Sequence, residues 1–111
     1  MSTTIYHNPA CSKSRQALQL LRDAGDEPAV VEYLKTPLDA ATLRDLIGKL
    51  GIAPAELVRK KEARDLGVDL GAGDEALIAA MAKHPILIER PIVVKGGKAV
   101  VARPPELATT L

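Results

Sequence analysis

Cysteine is almost missing from this chain: Cys11 is the only one in 111 residues. A single thiol cannot close an internal disulfide, so nothing points to an oxidising compartment. Nor can it run a self-contained dithiol redox cycle. Phe and Trp are absent and Tyr occurs twice, so the core allowed by the 47% apolar content must be aliphatic. Charge of one sign is not in excess either, since 15 Lys and Arg against 14 Asp and Glu leave a net charge of +1. That balance gives no general attraction to nucleic acid or a membrane surface, and any anion site must come from a local cluster. No apolar run approaches membrane-spanning length. No basic segment followed by an apolar run stands at the N-terminus, so no signal peptide is expected. With one Cys and two His no metal-ligand cluster is expected. The expectation is a cytoplasmic protein with a single domain over residues 1–111.

What is present falls into an ordered series of elements. "TTIYH" (3–7) is β-branched and aromatic and predicts a strand, which "NPA" breaks. From Ser12 to Ala24, Ala17, Leu20, Leu21 and Ala24 recur at helical spacing, and Gly25 is a natural stop. "AVVEYL" (29–34) predicts a second strand, and strand, helix and strand within about 30 residues make a βαβ unit. The middle is helical. "LDAATLRDLIGKLG" has Asp39 as N-cap and Leu43, Leu46, Ile47 and Leu50 on one face. "APAELVRKK" predicts a short helix with Pro54 in its first turn, and the glycine-rich "ARDLGVDLGAG" a loop. "DEALIAAMAKH" predicts a helix with Asp74 as N-cap, ended by Pro85. Ile92–Val94 and Ala99–Val101 flank "KGGK", the clearest hairpin signal in the chain. A short terminal helix is expected in "ELATTL". The order β-α-β, helices, β-β, α is that of an α/β thioredoxin-like (glutaredoxin-like) fold, with a helical insertion at about 38–85 between its βαβ and ββα halves. In such a fold a cis-proline precedes the third strand and faces the active cysteine, and Pro91 holds that place.

The order puts Cys11 at the start of the first helix. A helix N-terminus presents unpaired N–H groups and partial positive charge, which favour a thiolate and can also hold an oxyanion. His7 and Arg15 are candidates for further positive charge nearby, and the Ser14 hydroxyl for a hydrogen bond to the sulfur or an oxyanion. A lone cysteine is more often a small buried apolar residue. An inert one belongs inside an apolar run, however, and not in a polar strand-to-helix turn. The spacing disfavours a cysteine phosphatase loop, which needs Arg six positions after Cys, where this chain has Ala17. Arg90 and Arg103 each precede proline, at the entry and exit of the hairpin, and Arg59 lies in "LVRKK" on the insertion. Guanidinium groups recognise tetrahedral oxyanions through paired hydrogen bonds better than lysines do. Taken singly, each arginine is equally at home as a solvated side chain. Lys60 and Lys61 are read as solvated charges and His84 as a helix-end residue.

"IYHNPACSKSRQAL", "LVRKKE", "HPILIERPIVV" and "ARPPE", in this order from about residue 4 to residue 107, resemble the ArsC family of glutaredoxin-coupled arsenate reductases. The resemblance implies a thioredoxin-like fold with a helical insertion, and it implies roles. Cys11 matches the cysteine whose thiolate attacks arsenate. Arg59, Arg90 and Arg103 match the three arginines that bind the oxyanion, while His7 matches a histidine that favours the thiolate and Ser14 a serine near the sulfur. No bound cofactor is implied. Glutathione would act as co-substrate and glutaredoxin as protein partner, supplying the resolving thiols that the chain lacks.

The sequence stops soon after "RPPE", where plasmid-type members continue into a charged extension, and Lys13 adds charge to the "CSKS" loop. Both features suit the shorter chromosomal branch of the family. Two other readings share the fold. One is a glutathione-linked thiol transferase or deglutathionylase, with the arginines on glutathione carboxylates. The other is a non-enzymatic Spx-like regulator binding RNA polymerase, although such proteins commonly switch through a CxxC pair that Ser14 excludes here.

Overall fold

Alternation in Thr3–His7 organises the sheet. Thr3, Ile5 and His7 are buried while Thr4 and Tyr6 are half-buried, the period-2 pattern of a strand with one face packed. In the computed structural model, which describes residues 2–111, this strand (β1) is central. It pairs in parallel with β2 (Ala29–Glu32), matching Ile5 to Val30, and antiparallel with β3 (Ile92–Lys95), matching Ile5 to Val93. β4 (Lys98–Val101) adds antiparallel to β3, giving the order β2-β1-β3-β4. The hairpin turn is Gly96-Gly97, and Gly96 has φ +62°. A positive φ at the first central position matches a type II′ turn, whose twist suits the flanking strands.

Helix α1 (Ser12–Asp23) connects the parallel pair. Its Ala17 and Leu21 pack with Ile5, Val93, Ala102 and Ala108 into an aliphatic core. Each large aliphatic side chain so buried contributes roughly 1.5–3 kcal/mol. The polar residue on this face at the start of β1 is also satisfied, since Thr3 Oγ1 donates to Asp26 Oδ2 at 2.6 Å. The short terminal helix expected in "ELATTL" is a 3₁₀ turn over Pro105–Thr109, and it packs on α1. This is the thioredoxin-like arrangement, carried by residues 2–36 and 90–111. The Arg90–Pro91 bond is cis, as the fold requires, and Arg103–Pro104 is cis as well.

Residues 37–89 form a second compact unit, whose regular structure is helical apart from one bridge. Asp39 caps α2 (Ala40–Leu50), its carboxylate accepting the Thr42 N–H at 2.8 Å. Leu43, Leu46 and Ile47 of α2 are buried, as are Leu77, Ile78 and Met81 of α5 (Asp74–Lys83), and these two helices pack together. Gly73, not Asp74, caps α5; Asp74 and Glu75 instead place negative charge in its first turn.

The largest departure from the sequence reading lies between these helices. The single short helix expected across "APAELVRKK" is two: α3 (Pro54–Leu57) and α4 (Lys60–Leu66), the second taking in the first four residues of the expected loop, Ala63–Leu66. Val58 and Arg59 are extended because segment 87–89 claims their backbone. Val58 bridges Ile88, the Arg59 N–H donates to Leu87 C=O at 2.7 Å, and the Glu89 N–H to Leu57 C=O at 2.8 Å. Gly67, at φ +71°, then ends α4 in the left-handed conformation that favours glycine. Among the described residues, no helix is long and apolar enough to cross a membrane.

Candidate active site

Four residues, 8–11, make the turn from β1 to α1. Asn8 Oδ1 accepts the Ala10 N–H at 3.0 Å, an Asx turn. The Cys11 N–H donates to Asn8 C=O at 3.0 Å, and Arg15 Nη1 to Pro9 C=O at 2.7 Å. From below, Ser14 Oγ accepts the Asn8 N–H at 3.0 Å and lies 2.6 Å from His7 Nδ1. That last contact is O–H···N or N–H···O according to which ring nitrogen carries the proton. Ser14 and His7 are both buried. Burial holds His7 below its ordinary pKa, against the Glu32 carboxylate that raises it, so the ring is neutral at pH 7. His7 therefore lends no positive charge. It and the Ser14 hydroxyl anchor the turn.

Cys11 occupies the N-cap position of α1 with extended backbone (φ −93°, ψ 121°), and its carbonyl accepts the Arg15 N–H at 3.0 Å. N-caps are usually Ser, Thr, Asp or Asn, whose side-chain oxygen takes a free helix amide. The thiol makes no such cap bond, but it stands over the same amides. Partial burial pushes the thiol up. The Ser14 amide, the Arg90 guanidinium and the Lys13 amide together more than reverse this, leaving Cys11 below the ordinary thiol value. Arg90 stands just before β3, and its buried Nε has no hydrogen-bond partner.

The other expected site residues are placed as follows. Pro91 follows the cis bond after Arg90. Arg103 is exposed just beyond β4, and its guanidinium engages no acidic partner among the described residues. Arg59 belongs to the helical unit, where its Nε lies 2.8 Å from Glu62 Oε2 and 3.5 Å from Glu89 Oε1. Lys61 is exposed and paired with Asp65 at 2.9 Å, and Lys60 is exposed at the start of α4. His84 ends α5. Among the described residues no group of three or more His, Cys, Asp or Glu could hold a metal ion.

An activated N-cap cysteine after a His-Asn-Pro turn, with an Arg-cis-Pro beside it, is matched along nearly the whole chain by the profile of the ArsC family, over residues 6–110. The chain belongs to the ArsC family. It is 58% identical over 108 residues to a protein of Escherichia coli K12 named Uncharacterized protein YfgD, covering 92% of this chain and 89% of that one. It is 49% identical over 106 residues to an arsenate reductase of Neisseria meningitidis serogroup B, covering 92% and 91%. Among solved structures, an arsenate reductase from Vibrio cholerae superposes with a TM-score of 0.93 at 45% identity, covering 99% of this chain and 97% of that one.

Sequence reasoning missed three contributors. Asn8 shapes the turn with its side chain, and Asn-Pro after a strand is a signal for such a turn. Glu62 stands three residues after Arg59, the spacing of a helical ion pair. Glu89, thirty residues away from Arg59, leaves no local signal.

Proposed function

We propose that this protein is an arsenate reductase that uses Cys11 as nucleophile, with glutathione and glutaredoxin as electron donors. The observation that carries the reading is the Cys11 thiol at the α1 N-terminus, held below its ordinary pKa by the Ser14 amide and Arg90 against the effect of burial. Relatives named arsenate reductase, 43–49% identical over most of the chain, support the same reaction class.

In this reading the Cys11 thiolate displaces one oxygen of arsenate, which leaves as water after taking up protons, and a sulfur–arsenic bond forms. Glutathione displaces a second oxygen in the same way. A glutaredoxin thiolate then attacks the glutathione sulfur. The glutathionyl group leaves as a mixed disulfide, and the electron pair of the broken bond stays on arsenic, reducing it from arsenic(V) to arsenic(III). Water releases arsenite and returns the Cys11 thiol. Arg90, Arg59 and Arg103 are assigned to the oxyanion, Arg90 also to the thiolate. His7 and Ser14 hold the turn, and Pro91 sets the backbone beside it.

The test is NADPH oxidation in a mixture of arsenate, glutathione, glutathione reductase and glutaredoxin, run beside a glutathionylated peptide as alternative substrate. The reading predicts consumption that depends on arsenate and stops when either glutathione or glutaredoxin is left out. Turnover of the peptide with none of arsenate would replace arsenate reductase by thiol transferase.

A further inference from the structure

Thr3, at the start of β1, joins two residues of opposite charge. Its hydroxyl donates to Asp26 Oδ2 at 2.6 Å, and its strand partner on β3 is Lys95. Asp26 and Lys95 make no ion pair with one another, and neither has an ionic partner elsewhere among the described residues. A cavity of about 250 Å³ lies here, with Leu21, Asp26, Lys95, Ala108 and Leu111 in its lining. Its lining includes no residue of the Cys11 turn. Thr3 and His7 stand at opposite ends of β1, roughly 13 Å apart at the rise of an extended strand.

One side of this cavity favours a cation. Helix α1 ends here in a Schellman turn: the Gly25 N–H donates to Arg22 C=O at 3.0 Å and the Asp26 N–H to Leu21 C=O at 2.9 Å, with Gly25 at φ +86°. A helix C-terminus carries partial negative charge, and Ala24 and Gly25 of that turn also line the cavity. The Asp26 carboxylate adds a full charge, one oxygen held by Thr3 and the other without a partner among the described residues. Lys95, half-buried on β3, supplies the positive charge. Leu21 and Ala108, only 3% and 2% exposed, belong to the aliphatic core and make the apolar part of the wall. A matching ligand must offer an ammonium, a carboxylate and an aliphatic body. The volume is below the roughly 300–1,000 Å³ of pockets for drug-sized molecules, so the ligand must be small.

We propose that this cavity binds an aliphatic α-amino acid, with its ammonium on Asp26 and the α1 C-terminus, its carboxylate on Lys95 and its side chain against Leu21 and Ala108. A carboxylic acid without the ammonium leaves Asp26 unmatched and brings like charge towards it. An amine without the carboxylate does the same to Lys95. Both are rejected by the charge they lack as well as by the one they carry. The binding is independent of the chemistry at Cys11.

The test is calorimetric titration of the full chain at pH 7 with L-leucine, isocaproate and isoamylamine. The last two keep the aliphatic body of leucine and lack one charge each. Leucine should bind, and each analogue should bind about tenfold or more weakly, as the loss of a charged hydrogen bond implies. Lys95→Met keeps the stem without the charge, and Asp26→Asn keeps an oxygen that can accept from Thr3. Each should weaken leucine binding by about tenfold or more. Far-ultraviolet circular dichroism establishes that each variant is folded. Should Asp26→Asn not fold, Lys95→Met and the two analogues still decide. No binding of leucine, an analogue that binds as tightly as leucine, or undiminished leucine affinity in either folded variant would overturn the proposal.

Discussion

Cys11 and its two main supports, the Ser14 amide and Arg90, set the chemistry at the scale of single residues. Titrating thiolate absorbance in the ultraviolet should give a midpoint below the ordinary thiol value of about 8.5. Arg90→Gln should raise that midpoint by removing the charge and leave the fold in place. The same shift has a sign in stability. A depressed folded pKa contributes stability that is complete above the unfolded value and is lost as pH falls through the folded one. Cys11→Ser should therefore cost more stability at pH 9 than at pH 6, by denaturant unfolding. His7 follows the same rule for a different reason, since burial disfavours its charged form. Acidification from about pH 6.5 should destabilise the intact protein more than a His7→Gln variant. The position of Cys11 at the start of α1 was legible because an isolated thiol in a polar turn is unusual, and Arg90, which comes beside it, because it precedes a proline at the hairpin entry. The sequence did not make the actual work of Ser14 legible, because whether a hydroxyl faces the sulfur or the strand behind it depends on where His7 and the Asn8 amide come to rest.

Elements were legible where local signals agreed. The strands, α1, α2 and the hairpin carried both periodicity and punctuation, and they formed within a few residues of the expected bounds. The break between α3 and α4 carried neither signal. Val58 and Arg59 suit a helix by spacing, and they are extended because the Leu87 carbonyl accepts the Arg59 N–H, the Glu89 N–H donates to Leu57 C=O and Ile88 bridges Val58. The helical start of the expected loop was hidden for a simpler reason: Gly67, Gly71 and Gly73 drew attention away from Ala63–Leu66. Gly67 itself gives a clean test. A Cβ there would meet nothing within 4 Å, so Gly67→Ala tests the left-handed backbone alone. It should cost about 1 kcal/mol in chemical denaturation. Leu77→Ala, which empties a fully buried position on α5, should cost more, about 2–5 kcal/mol.

For the molecule as a whole, the lack of charge excess and of a second thiol are two sides of one design. With a net charge of +1 the chain cannot gather anions over its general surface. Among its arginines, Arg59 is held between Glu62 and Glu89. With one thiol, the reduction proposed above draws its electrons from other molecules. The βαβ and ββα halves were recognisable from element order, while the Arg59–Glu89 ion pair of the helical unit was not, because Glu89 meets Arg59 only after the chain has folded back. The central claim is that a Cys11 thiolate performs the attack on arsenate. It is tested most directly by the pH dependence of kcat/KM for arsenate, with glutathione and glutaredoxin in excess and Cys11→Ser as control. The account predicts a rise with a midpoint below about 8.5 that coincides with the thiolate absorbance titration, and no turnover by Cys11→Ser. Arsenate turnover that persists in Cys11→Ser would contradict it.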